Sequence, residues 1–328
     1  MVDKKISRRQ FIGYAGAGII SLGLSGCKVF SQSDVKVTQA ITPTSAANST
    51  PTGIPTPRPT QPVVKTVSEL VVAQGNDPKS LIQNGLKAFG GIGKIVKKGN
   101  IVVIKPNFSV IRSPEEAATT NPELVAAVVK ECLKAGAKEV KVIDFPFMSP
   151  ICLTKSGIQD AVKKAGGKAY CINEEKFYKE VNMGGNVLKN TLYSKDVMDA
   201  DVLINMPILK HHNVTKVTMG LKNMMGLVWD REHFHSSDLE QGIAELTAYR
   251  IPDLIIMDAI RGITENGPIG PGAIKEWNQV IFGVDPVAVD SYAANLFELN
   301  PMDIRCLSIA YSLGLGQIDL KKIKVQKV

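Results

Sequence analysis

Cysteine and histidine are scarce in this chain of 328 residues, five and four in all, and no Cys-x-x-Cys pair occurs. Cys132, Cys152, Cys171 and Cys306 are spaced too widely for the disulfide framework of a small secreted domain. They match no iron–sulfur ligand run either. Cys132 lies in an apolar helical pattern and reads as a small buried hydrophobe. No Gly-x-Gly-x-x-Gly stands between a strand and a helix, so a dinucleotide site is unsupported, and no Gly-x-Ser-x-Gly elbow supports a hydrolase triad. A basic face is missing too. Of the net charge of +8, Lys4, Lys5, Arg8 and Arg9 against Asp3 place +3 in the first 26 residues, and Lys321, Lys322, Lys324 and Lys327 crowd the C-terminus. Between these ends the charges nearly balance, which argues against a nucleic-acid partner. What remains, 44% hydrophobic and 21% charged, is ordinary globular composition in a chain long enough for a sizeable core.

The N-terminus does carry a message. Ser7-Arg8-Arg9-Gln10-Phe11-Ile12, followed by a Gly-rich apolar stretch to Leu24, resembles a twin-arginine export signal. Leu24-Ser25-Gly26-Cys27 resembles a lipobox, with Cys27 as the lipidated residue. The apolar stretch is shorter than the roughly 20 residues a membrane-spanning helix needs. These motifs predict export by the twin-arginine route and a lipid anchor on the outer face of the cytoplasmic membrane or elsewhere in the envelope. That route carries folded cargo, often with a cofactor already inserted. Residues 28–65 are rich in Ser, Thr, Pro and Ala, a composition that cannot bury enough apolar surface to offset its ordering entropy. The expected organisation is a signal peptide over 1–27, a disordered linker over 28–65 and one α/β domain over 66–328.

Within that domain, short apolar runs of strand length alternate with helical stretches. Strands are expected over 68–73, 101–104, 140–144, 201–205, 253–258, 279–284 and 323–328, and helices over 122–135, 155–165, 286–296 and 303–313. This order predicts a mostly parallel sheet with helices on both faces. Residues 181–193, with Gly184-Gly185-Asn186 at their centre, predict an inserted β-hairpin. Ligands in open α/β sheets bind beyond the carboxyl ends of the strands. The polar residues there are Lys105 and Asn107, Asp144, Asn205 with Lys210-His211-His212, Asp258 with Arg261, and Asp285 with Asp290. Each alone has an ordinary reading as a turn or cap residue; the recurrence is the signal.

All four histidines fall between 211 and 235. His233 and His235 share a face only in extended chain, so a metal site there, completed by a carboxylate such as Asp144, Asp230 or Asp258, requires a loop or strand. Their alternative roles are polar surface, core or phosphate contact. If a helix begins just after Lys210, Thr215, Thr218 and Lys222 share one face of it, a combination that suits a phosphate or carboxylate. Met219, Met224 and Met225 read as core. Glycines in 265–272 permit close backbone approach to a ligand, but the prolines remove donors, so this is no phosphate-cradling loop.

Four motifs in order, Ile104-Lys105-Pro106-Asn107, residues 200–212 ending in Lys210-His211-His212, residues 220–226 with Lys222-Asn223, and residues 283–290 with Asp285-Pro286, resemble the domain-of-unknown-function 362 family. The likeness runs from about Val67 to Tyr311. It implies site roles for Lys210 with His212, for Lys222 with Asn223, and for His233 or His235. Many members carry iron–sulfur ferredoxin modules, which this chain lacks. The strand leading to Lys210 is also loosely similar to nickel-pincer lactate racemases, which favours a small anionic organic substrate and a metal.

The leading expectation is therefore a Lys/His-rich site for a small anionic molecule, with a divalent metal as candidate cofactor. His211, His212 and Asp258 are the candidate catalytic groups. Lys105, Asn107, Lys210, Thr215, Thr218, Lys222 and Asn223 are the anion ligands, and His233, His235 and Asp144 the metal ligands. The alternatives are a non-catalytic solute-binding lipoprotein and a scaffold for an iron–sulfur redox protein.

Overall fold

A computed structural model describes residues 68–328. The expected signal, with Arg8, Arg9 and Cys27, and the linker over 28–65 lie outside the described residues. Strands and helices follow in the order β1 (Ser68–Gln74), α1 (Pro78–Phe89), β2 (Ile101–Pro106), α2 (Pro122–Lys134), β3 (Glu139–Asp144), α3 (Ile151–Lys155), α4 (Ile158–Ala165) and β4 (Lys168–Cys171). Next come β5 (Tyr178–Asn182), β6 (Asn190–Ser194), α5 (Lys195–Met198), β7 (Val202–Met206), β8 (Lys210–His212), β9 (Lys216–Thr218) and α6 (Gly220–Asn223). The chain closes with α7 (Glu232–Ser236), α8 (Leu239–Tyr249), β10 (Leu254–Ile263), β11 (Ile274–Gly283), α9 (Pro286–Leu296), α10 (Arg305–Ser312) and β12 (Ile323–Lys327). Among the described residues, no helix is long and apolar enough to cross a membrane.

Eight strands form one sheet in the order β12-β1-β11-β10-β7-β2-β3-β4. Every pairing is parallel except those that β11 makes with β10 and β1. The sheet is thus mostly parallel, and its apolar residues divide by the period of two. Val102, Ile104, Leu254 and Ile256 pack on one face with α1, α2 and α4, while Val103, Ile255 and Met257 pack on the other with α8, α9 and α10. Three helices open with the same device, a capping side chain followed by proline at the first turn: Asp77-Pro78, Asn121-Pro122 and Asp285-Pro286.

The hairpin expected within 181–193 is present as β5–β6. A helix expected over 155–165 is broken at Gly157, whose φ of 73° no ordinary helix accommodates, giving α3 and α4. Strand β11 runs longer than its apolar run because Ile274, Lys275 and Glu276 are exposed and leave no apolar pattern, while β10 continues through the buried Ala259, Ile260 and Ile263 past a register shift between Ala259 and Arg261. The largest correction falls on 210–218. This segment is a second hairpin, β8–β9, rather than the start of a helix, and Lys216, the first residue of β9, adopts φ 63°.

Candidate functional site

Strands β2 and β3 end, and β8 begins, at one cavity of 810 Å³. Its floor is built from the polar residues that follow their apolar runs. Lys105, fully buried, pairs with the buried Asp144 carboxylate at 2.8 Å. Lys105 Nζ also donates to the Pro106 carbonyl and to Asn223 Oδ1, both at 2.8 Å, so all three ammonium hydrogens are used. Asp144 in turn accepts from the backbone N–H groups of Phe108 and Phe145. Asn223 accepts from Asn107 at 3.1 Å and donates to Asn205 at 2.8 Å, joining β2, β7 and α6 in one network. Burial lowers the Lys105 pKa against the pull of Asp144.

Lys210 is fully buried without a carboxylate partner. Its ammonium donates to the carbonyls of Ala118 at 2.6 Å and Pro268 at 2.9 Å, and to Asn107 Oδ1 at 3.4 Å. Burial, reinforced by Lys222 and Lys105, pulls it down to about 7. Lys222 differs: it lines the same cavity half-buried and makes no hydrogen bond or ion pair among the described residues. Burial chiefly, then Arg231 and Lys105, bring it down to about 8. Arg231 completes the set. Its guanidinium lies 3.7 Å from the Phe145 ring centroid and donates once, to the Phe145 carbonyl, while Phe145 stacks on Trp229 at 5.4 Å. The floor therefore carries four cations, Lys105, Lys210, Lys222 and Arg231, against the single carboxylate of Asp144; Asp230 and Glu232 stand exposed at the rim.

His212 has a defined tautomer. Its Nδ1 accepts from the backbone N–H groups of Val214 at 3.1 Å and Thr215 at 3.3 Å, which leaves the proton on Nε2. Burial, with Lys222 and Lys210 nearby, holds its pKa down at about 3. At neutral pH it is an uncharged hydrogen-bond donor lining the cavity, neither a base nor a free metal ligand.

Of the residues singled out in the sequence, the cavity is lined by Lys105, Asn107, Asp144, Lys210, His212, Thr218, Lys222, Asn223, Asp230 and His235, and also by Met225, which was expected as core. The hairpin register places Lys210 opposite Thr218, so the two meet across strands and not along a helix face. Thr215 bonds its own hairpin, through the Val217 carbonyl. The start of α6 is already taken, since the Asp290 carboxylate accepts from Gly220 N at 2.7 Å and Leu221 N at 2.9 Å. His211 does not line the cavity; its Nδ1 accepts from Gly267 N. Asp258 sits apart as well, fully buried, accepting from Asn121 N and Ile260 N, with burial raising its pKa to about 6.

His233 and His235 lie on helix α7, not in extended chain, so they do not share the face that a chelating pair requires. His233 bonds the Val187 carbonyl, and Asp144 is committed to Lys105. Among the described residues no group of three or more His, Cys, Asp or Glu side chains is placed to hold a metal ion. A floor of lysines and a histidine whose Nδ1 is occupied does not fit a bare divalent cation; it fits an anion. Arg231 was missed in the sequence reading. Its only signal was its place in the His-rich run, and its stacking on Phe145 joins elements 86 residues apart.

Residues 102–295 match the family described as Domain of unknown function (DUF362). The chain belongs to the DUF362 family. The match takes in β2, β3, β7 and α6, and so the cavity floor. The thylakoid-associated protein sll1697 of Synechocystis is 31% identical over 281 residues, covering 77% of this chain and 81% of that protein. The lactate racemase apoprotein of Thermoanaerobacterium thermosaccharolyticum aligns with a TM-score of 0.47 at 10% identity, over 69% of this DUF362 chain. The aligned part is 56% of the racemase's length, a likeness too distant to inform the site's chemistry.

Proposed function

We propose that this DUF362 protein is an exported lipoprotein that binds a small organic anion, a carboxylate or phosphate, in the cavity at the strand ends. One observation carries the reading: Lys222, a half-buried cation without a partner, faces a cavity whose other cations are already hydrogen-bonded. An unpaired charge in such surroundings is costly unless a counter-ion compensates it. Lys222 and the remaining N–H groups of Arg231 would contact the anion, and His212 Nε2–H would donate to it. Lys105 and Lys210, with their hydrogens spent on the protein, would contribute charge only.

A second reading follows from the shifted lysine: with a pKa brought down to about 8, Lys222 can exchange a proton with a bound ligand near neutral pH. That would make the site catalytic. His212, held near 3, is no candidate for the same task. The binding claim is tested by titrating acetate into the wild type and Lys222→Gln under calorimetry. A charge-assisted hydrogen bond contributes about 1.5–3 kcal/mol, so the variant should bind about tenfold or more weakly, with thermal stability in the absence of ligand equal to or above that of the wild type. Equal affinity would remove Lys222 from the site.

A further inference from the structure

The cavity is polar at its buried floor, whereas its exposed rim sets two apolar side chains, Phe147 and Val214, beside the polar Asn213, Asp230, Glu232 and His235. Lys105, Asn107, Lys210, Thr218 and Asn223 at its floor are each no more than 6% exposed. At its mouth, Phe147 and Val214 are 62% and 59% exposed. Met148 and Ile151 extend the same segment beyond the cavity as exposed apolar side chains. Between floor and mouth run Val110, Leu192, Met225, Trp229 and Ile269. A volume of 810 Å³ falls in the range of about 300–1,000 Å³ that encloses drug-sized ligands, far more than acetate or inorganic phosphate fills.

We infer that the ligand is an amphiphilic anion, its charged group seated on the Lys222 floor and its elongated apolar body running past Met225 and Ile269 to the Phe147–Val214 mouth. This rests on the anion-binding reading above and specifies the class of ligand. Asp230 and Glu232, exposed at the rim, would repel a second charge there and so fix the orientation, charged end inward. Exposed aromatic and branched side chains at an opening are costly in water, and an apolar body lying against them removes that cost.

The test is a carboxylate series of rising chain length, acetate, butyrate, hexanoate and octanoate, titrated into the full-length protein and into the variant F147S/V214S. Each buried methylene strengthens binding about fourfold, so octanoate should bind about 60-fold tighter than acetate even if only half of its added methylenes are covered. In F147S/V214S this ratio should shrink several-fold; both side chains are more than half exposed, and circular dichroism checks that the fold is retained. Equal affinity of acetate and octanoate would overturn the inference while leaving the anion site standing. Binding of octanol as tightly as octanoate, or of no carboxylate at all, would overturn both. Flotation of the unanchored Cys27→Ala protein with phosphatidylcholine vesicles with and without phosphatidic acid separates the sources. Capture that depends on phosphatidic acid and on Phe147 marks a membrane-borne amphiphile, and octanoate binding without capture marks a soluble one.

Discussion

Gly226 shows how closely the cavity floor is fitted. A methyl group added there would overlap Asp144 Oδ1 and the end of the Lys105 side chain, which are locked in a buried ion pair and cannot swing away freely. Gly226→Ala should therefore destabilise the fold by about 1–3 kcal/mol, the usual cost of overpacking, read as a lower urea midpoint. An unchanged midpoint would mean that the pair is looser than its 2.8 Å separation indicates. At this scale most of the floor was legible in the sequence. Lys105, Asn107, Asp144 and Asn205 each follow an apolar run, and strand ends are where such residues converge. The tautomer of His212 was not legible, because it depends on two backbone N–H groups that only the turn of the β8–β9 hairpin aims at Nδ1.

Helix α6 carries Lys222 and Asn223, and its position depends on the Asp290 carboxylate that accepts its first two N–H groups from α9. Burial raises the pKa of Asp290 to about 7 against those hydrogen bonds. The folded state therefore holds this proton more tightly than the unfolded chain, and the stability it confers fades as pH rises from about 4 to about 7. Asp290→Asn removes that dependence. The stability of the wild type relative to the variant should be larger at pH 4.5 than at pH 7.5, measured by urea unfolding; a constant difference would contradict the assignment. The sheet and its main helices were readable from hydrophobic period and capping signals. The β8–β9 hairpin was not: strands of three residues carry too little pattern, and the Thr-Lys spacing over 215–222 suits a helix equally well.

On the scale of the whole chain, the proposed export and anchoring rest on Arg8, Arg9 and Cys27 in the sequence. Replacing Arg8 and Arg9 by Lys should leave the precursor in the cytoplasm, and Cys27→Ala should release the exported protein from membranes. Cell fractionation reads both, and normal export or membrane retention of the respective variant would contradict the proposal. The folded body contributes a cavity of 810 Å³ at the strand ends whose charge is set by a few titrating cations. The most direct test of that account is the affinity for acetate as a function of pH, since acetate keeps its charge from pH 6 to 9. Lys210 and Lys222, brought down to about 7 and about 8, lose their protons over this interval in the free protein. The account predicts that acetate binding weakens about tenfold or more from pH 6 to 9, with proton uptake on binding near pH 8, and that Lys222→Gln binds weakly with a flatter profile. An affinity independent of pH over that range, or a Lys222→Gln profile that overlays the wild type, would contradict it.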